Sequence, residues 1–321
     1  MDKPIIELKD IRTYYQVKKG IFKTVILKAV DGVSLSINRG ETVAIVGESG
    51  SGKTTLGKTS IKLLEPYSGK IIFEGRDITN LKGNLKWLRK KAQIIFQDPF
   101  MALNPFLSIR DILEEPLIIH GIGSREERLE IISKALEEVK LHPPEEFLLK
   151  YPHMLSGGQR QRVCIARALV LEPIYVVADE PVSMIDASSR AEILYLFAEI
   201  QRRHGMAIMY ITHDIATTKY FSNYIAVMYA GKIVEYAPAK ELIKNPLHPY
   251  TRALINAVPD PDPNNRFRFR EVVPGEPPNP INPPSGCRFH PRCPYKRDEC
   301  NRIEPEFKEV EPKHYVACHL Y

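Results

Sequence analysis

The chain has 321 residues, 44% hydrophobic and 26% charged, enough for one large domain or two smaller ones around an ordinary globular core. Its net charge of +6 (sequence pI about 8.9) is small and spread along the chain, which argues against a strongly acidic partner surface and gives no nucleic-acid footprint. No apolar run reaches the roughly 18 residues of a membrane helix, and the charged start MDKPIIELKD has no signal-peptide core, so a cytoplasmic chain with reduced thiols is expected.

Four short apolar runs bounded by Gly, Asn and Asp predict strands in the first 95 residues: IIELKDI, VDGVSLSI, ETVAIVG and GKIIFEG. After residue 105 the period changes. SIRDILEEPLIIHG and SREERLEIISKALEEVKL place Ile and Leu three and four apart, which predicts helices, the second opened by a capping box from Ser124 to Glu127. Strands return at PIYVVADEP, MAIMYITHD and YIAVMYAGKIVE, with helical segments between, so an α/β fold with an at least partly parallel sheet is expected. Near residue 258 the composition shifts to PDPDPNNRFRFREVVPGEPPNPINPPSG, read as an extended linker or wrapped arm because proline fits neither helix interiors nor central strands. It leads into CRFHPRCPYKRDEC. Four of the five cysteines lie in this tail, at Cys287, Cys293, Cys300 and Cys318. The fifth, Cys164, sits among apolar neighbours on a predicted helix and is read as a small hydrophobe.

Residues 47–54, GESGSGKT, follow a predicted strand and fit G-x-x-x-x-G-K-[ST]. Gly47, Gly50 and Gly52 let backbone N–H groups turn toward phosphate oxygens, with Glu48, Ser49 and Ser51 completing the loop. The helix that follows points its N-terminus at the same anion. Lys53 is expected to reach the terminal phosphates and Thr54 to offer its hydroxyl to Mg²⁺, with Thr55 beside them. The apolar run YVVADE ends in two carboxylates, Asp179 suited to hold Mg²⁺ and Glu180 to orient or deprotonate an attacking water.

Between these motifs stands LSGGQRQRVCIARAL, 155–169, and with it the chain resembles the ATPase subunit of an ABC transporter over roughly residues 5–255. The resemblance implies an α/β nucleotide-binding domain: a RecA-like core, an N-terminal antiparallel β subdomain and an inserted helical subdomain at about 98–170. It divides the chain into a cassette, 1–255, and a small irregular C-terminal extension, 256–321. It assigns adenine stacking to Tyr15 (or Tyr14) and makes Gln97, in IFQDP, a contact to Mg²⁺ and to a membrane subunit, so that Thr54, Gln97 and Asp179 are the Mg²⁺ ligands. Leu155, Ser156, Gly157, Gly158 and Gln159 then meet the ATP held by an opposite subunit, as Ser-Gly-Gly at a helix start suits an anion. Ser183 and Asp186 bound the D-loop, which reads SMID where the family usually has SALD, and His213 in ITHD contacts the γ-phosphate. Lys53, Glu180 and His213 are the implied catalytic residues of an ATPase.

NPLHPYTRAL at 245–254, PGEPPNP and the cysteine tail resemble the oligopeptide, dipeptide and nickel branch of ABC importers. That implies ATP-driven import of oligopeptides or dipeptides, with oligosaccharides or nickel as alternative cargo. The implied partners are a paralogous ATPase subunit or a second copy, two transmembrane permease subunits and, indirectly, an extracytoplasmic substrate-binding protein, but no nucleic acid. The implied location is peripheral, on the cytoplasmic face of the membrane. A non-transport ABC ATPase is a second reading, opposed by the single cassette and the lack of sustained heptads. A regulatory module that binds ATP without hydrolysing it is a third, opposed by Glu180 and His213. The spacing Cys-x5-Cys-x6-Cys-x17-Cys has neither zinc-type Cys-x2-Cys pairs nor the compact ferredoxin run. Four thiols in a reducing compartment still suit a soft metal. The resemblance favours a structural [4Fe–4S] cluster, with zinc or free thiols as alternatives and His290 and His319 near enough in sequence to substitute.

Overall fold

Among the described residues the strands run β1 Ile6–Lys19, β2 Lys23–Ile37, β3 Thr42–Val46, β4 Ser68–Phe73, β5 Arg76–Asp77, β6 Ala92–Ile95, β7 Tyr175–Asp179, β8 Ala207–Thr212, β9 Tyr224–Tyr229, β10 Lys232–Pro238, β11 Phe307–Glu311 and β12 His314–Ala317. This computed structural model describes residues 3–19, 23–258 and 275–321; most of the expected proline-rich linker, at 259–274, lies outside them. The chain divides into two compact units. One, here the loop unit, comprises Ile6–Ile37, Thr42–Thr79 and Tyr210–Tyr321; the other, the helical unit, is mainly Asn80–Met209.

In the loop unit β1 pairs antiparallel with β2, from Ile6↔Ile37 to Lys18↔Thr24, and with β4, and β5 completes an antiparallel sheet of order β2-β1-β4-β5. Alternating side chains fill its inner face: Ile6, Leu8, Ile11, Val33, Ile71 and Phe73 are buried. A second run of strands has the order β11-β12-β10-β9-β3. Here β3 and β9 are parallel, Val43 opposite Tyr224 and Val46 opposite Val227. Every residue of β3 is buried, which is why TVAIV reads as an unbroken apolar run.

The tail is less irregular than expected. β12 adds antiparallel to β10, with Glu235 opposite Val316, and β11 forms the edge. Aromatic rings tie the strands together: Tyr224 to Tyr236 at 5.2 Å, Tyr236 to Tyr315 at 6.2 Å and Phe307 to Tyr315 at 5.8 Å. FKEVE and HYVA are too short and too polar to announce themselves as strands, and the strand they join lies some 80 residues upstream. The boundary expected at residue 255 falls inside this unit.

In the helical unit β6 runs parallel to β7, with Ala92 opposite Tyr175 and Ile95 opposite Ala178. Helices Ile109–His120, Arg125–Glu138 and Gly157–Leu169 pack through Leu113, Leu117, Ile132, Leu136, Val163 and Ile165, all buried. The expected capping box forms: Ser124 Oγ accepts the Glu127 N–H at 3.3 Å and Glu127 returns the bond to the Ser124 N–H at 2.6 Å. Cys164 is buried on the third of these helices, its thiol pushed up to about 12 by burial, as suits a small hydrophobe. No described helix is long and apolar enough to cross a membrane.

Candidate functional site

β3 ends at Val46, the glycine loop turns, and helix Lys53–Ser60 begins. Two glycines are demanded by packing. A Cβ on Gly47 would stand 2.1 Å from the Met228 carbonyl oxygen; one on Gly52, whose φ is +103°, would stand 2.1 Å from that of Ala29. The loop thus lies flush against backbone, as close phosphate approach requires. Lys53 is almost buried, and its Nζ donates to the carbonyls of Gly47 (2.8 Å) and Glu48 (2.9 Å), so the loop curls around its own ammonium. Among the described residues Ser51 Oγ is buried with no hydrogen-bond partner, a polar atom that fits a phosphate oxygen.

The two tyrosines separate. Tyr14 turns inward: its ring stacks on Tyr67 at 4.8 Å and its hydroxyl donates to Asp31 at 2.5 Å. Burial, then that bond, pushes the phenol up to about 12. Tyr15 stays open, its hydroxyl 3.2 Å from Thr55 Oγ1 at the end of the phosphate loop. His213 is exposed just after β8, followed by Asp214, which caps the short helix Ile215–Thr218 by accepting the Ala216 N–H at 2.9 Å.

In the helical unit Asp179 is buried at the end of β7. Glu180 follows with φ +45°, the left-handed region that a side chain adopts only under constraint. The constraint is visible: the Ser183 N–H and hydroxyl both donate to the Glu180 carbonyl, at 3.1 and 3.0 Å. The turn aims Glu180 at Gln97, whose Nε2 donates to its carboxylate at 3.2 Å. Ser183 therefore shapes the turn, and Asp186 caps helix Ala187–His204 by accepting the Ser189 N–H at 3.0 Å. Met184, the departure in SMID, is half exposed. Ser156 caps helix Gly157–Leu169 in a box with Gln159, and Leu155 is buried. Among the described residues, a Cβ on Gly157 or Gly158 would meet nothing closer than 3.6 Å. The structure thus gathers Tyr15, the phosphate loop and His213 in one unit, and Gln97, Asp179, Glu180, the signature and the D-loop in the other.

Two contacts to the phosphate loop escaped the sequence reading. Tyr250 Oη accepts the Glu48 N–H at 2.8 Å, and Arg292, in the tail, grips the Glu48 carboxylate with both Nη atoms at 2.9 and 3.2 Å. Tyr250 sits in the NPLHPYTRAL segment, read from sequence only as a mark of the branch; for Arg292 no local signal existed.

The tail thiols share one neighbourhood. The Cys287 N–H donates to the Cys300 carbonyl at 2.9 Å. Burial pushes the Cys287 thiol up to about 11, and the other three tail thiols add to the rise. Cys293 and Cys318 are raised for the same reasons. Among the described residues, however, no group of three or more His, Cys, Asp or Glu side chains could hold a metal ion. His290 and His319 turn a ring nitrogen to a backbone carbonyl instead, each at 2.9 Å.

A phosphate loop behind a buried parallel strand, in an α/β domain with an antiparallel sheet and a helical insertion, defines an ABC-type nucleotide-binding cassette. The family described as ABC transporter matches residues 30–183, and that described as oligopeptide/dipeptide transporter, C-terminal region, matches 234–300. The chain is 46% identical to the oligopeptide transport ATP-binding protein AppF of Bacillus subtilis, over 99% of this chain and 97% of AppF. It is 45% identical to a putative peptide import ATP-binding protein of Brucella ovis, over 98% and 97%. Solved cassettes agree. The dimeric cassette MJ0796 bound to ADP and Pi superposes with a TM-score of 0.65 at 31% identity, over 73% of this chain and 98% of that one. CbiO1 of Clostridium perfringens does so with a TM-score of 0.65 at 28%, over 75% and 91%. The chain belongs to the ATP-binding subunits of ABC transporters, in the branch with the oligopeptide/dipeptide C-terminal region, and it is an ABC-type ATPase.

Proposed function

We propose that this chain hydrolyses ATP to drive import of oligopeptides or dipeptides, with each ATP held between Gly47–Thr55 of one subunit and Leu155–Gln159 of the other. Similarity to peptide import ATP-binding proteins over nearly the whole chain supports the cargo. The observation that carries the chemistry is the Gln97–Glu180 contact at 3.2 Å beside buried Asp179. Glu180 takes the proton of the attacking water, and Gln97 holds its carboxylate in the meantime. Lys53 leaves the loop carbonyls for the terminal phosphates, and His213 meets the γ-phosphate. Tyr15 stacks on adenine. Mg²⁺, held by Thr54, Gln97 and Asp179, would neutralise charge on the phosphates. The partners are a paralogous ATPase or a second copy, two permease subunits on the membrane, and a binding protein that delivers cargo to them. The subunit sits peripherally on the cytoplasmic face.

Glu180→Gln is the test. Turnover should fall at least about 100-fold with ATP binding retained and dimers accumulating; undiminished hydrolysis would mean that the base lies elsewhere. Cargo is read from ATP-dependent uptake of labelled peptide into vesicles holding the whole transporter. We keep a four-iron cluster on the tail thiols, with zinc as the alternative, on the tail's resemblance to that importer branch alone, since among the described residues no group of three or more such side chains could hold a metal ion. Iron and acid-labile sulfide in anaerobically purified protein is the expected result, and stoichiometric zinc without iron the contrary one.

A further inference from the structure

The pentapeptide between the first two tail cysteines, RFHPR, carries three of the tail's most buried large side chains: Arg288 and Arg292 are 9% exposed and Phe289 is 1% exposed. All three reach residues that frame the phosphate loop, within the same unit. Arg288 binds the Asp31 carboxylate and the Ala230 carbonyl; the next residue, Gly231, accepts the Asp31 N–H at 2.9 Å and donates to the Ser51 carbonyl at 2.9 Å. Phe289 packs against Tyr229 (5.2 Å) and Tyr250 (5.5 Å), and Tyr250 holds the Glu48 N–H. Arg292 forks onto the Glu48 carboxylate and donates to Tyr229 Oη at 3.3 Å.

Glu48 poses a physical problem. It is an acidic side chain inside a loop built to receive the phosphates of ATP. At that range an uncompensated negative charge repels the nucleotide. Arginine answers this better than lysine, since its planar fork meets both carboxylate oxygens and stays charged at any working pH.

We propose that Arg292 is a positioning residue for ATP: it neutralises Glu48 and draws its side chain back, so that the tail braces the phosphate loop in its binding form. ATP affinity of the cassette then depends on a residue 244 positions downstream. The proposal rests on the reading of Gly47–Thr54 as the ATP loop.

The test is ATP binding by calorimetry on the purified full-length chain. Arg292→Gln should weaken ATP binding about tenfold, the effect of one uncompensated charge at this range. Glu48→Gln alone sets the reference affinity. The combined variant should bind ATP within about threefold of Glu48→Gln, because the charge that Arg292 offset is gone. A residue that merely stabilised the fold would show no such recovery. Arg292→Met, which keeps apolar packing on Tyr229 without the charge, stands in if Arg292→Gln does not fold. Wild-type affinity in both Arg292 variants, or a double variant as weak as the single, overturns the proposal. Lys53→Ala separates the two readings: undiminished ATP binding there would refute the loop assignment, whatever Arg292 does.

Discussion

Replacing Glu235 by alanine removes an acceptor that three buried donors share. The side chain is fully buried on β10. It accepts the N–H groups of Leu247 at 2.8 Å and His248 at 2.9 Å, and its Oε1 lies 2.7 Å from His314 Nε2 on β12. Each donor left without a partner costs about 1–3 kcal/mol. The three do not add in full, because neighbours relax together. Breaking one buried pair of this kind costs about 3–5 kcal/mol, so Glu235→Ala should lose about 4 kcal/mol of stability. At roughly 2–4 °C per kcal/mol the Tm should fall by about 10 °C. Glu235→Gln keeps one acceptor oxygen but turns an N–H₂ toward a donor, and should lose about half as much, about 2 kcal/mol. His314→Ala removes one donor and should cost about 2 kcal/mol; combined with Glu235→Ala it should add little, since the shared contact is already gone. Urea unfolding followed by far-UV circular dichroism reads all four variants. A loss below about 1 kcal/mol for Glu235→Ala would refute the claim that this carboxyl group joins the tail strand and the 247–248 turn to the cassette.

Burial lowers the His248 pKa from 6.5 to about 4, and its Nδ1 accepts the Tyr250 N–H at 3.0 Å. The unfolded chain therefore binds a proton below about pH 6.5 that the folded chain refuses until about pH 4; stability is intact above this window and falls by about 3 kcal/mol across it as the pH drops. His248→Asn, which can still cap, should flatten that slope between pH 5 and pH 7 in urea midpoints; an unchanged slope counts against the assignment. Gly52→Ala places a Cβ 2.1 Å from the Ala29 oxygen at a φ of +103°. It should cost about 1–2 kcal/mol of strain and at least tenfold in ATP affinity (about 1.4 kcal/mol), and wild-type calorimetry would contradict it. Tyr15→Ala should weaken ATP about tenfold through lost base stacking, whereas Tyr14→Phe, which loses only the bond to Asp31, should bind ATP within about twofold of wild type. Equal effects in the two would mean that adenine stacks elsewhere.

The phosphate loop, the Asp179–Glu180 pair, LSGGQ and ITHD were legible because each is contiguous: the chemistry of a phosphate loop or a helix cap is dictated by residues a few positions apart. The same holds for the Ser124–Glu127 capping box and for β3, whose unbroken apolar run marks a strand buried on both faces. Tertiary structure decided the rest. It chose Tyr15 over Tyr14 as the open ring, a matter of which side chain found Asp31 and Tyr67. It gave Glu180 its left-handed backbone through Ser183. It turned an apparently irregular tail into two strands, and set Arg292 on Glu48 and His314 on Glu235. These pairings depend on strand order and on burial across long sequence separations, where no periodicity or local propensity records which group will be the partner. A buried polar group must still find one, and only the folded chain determines which residue answers it.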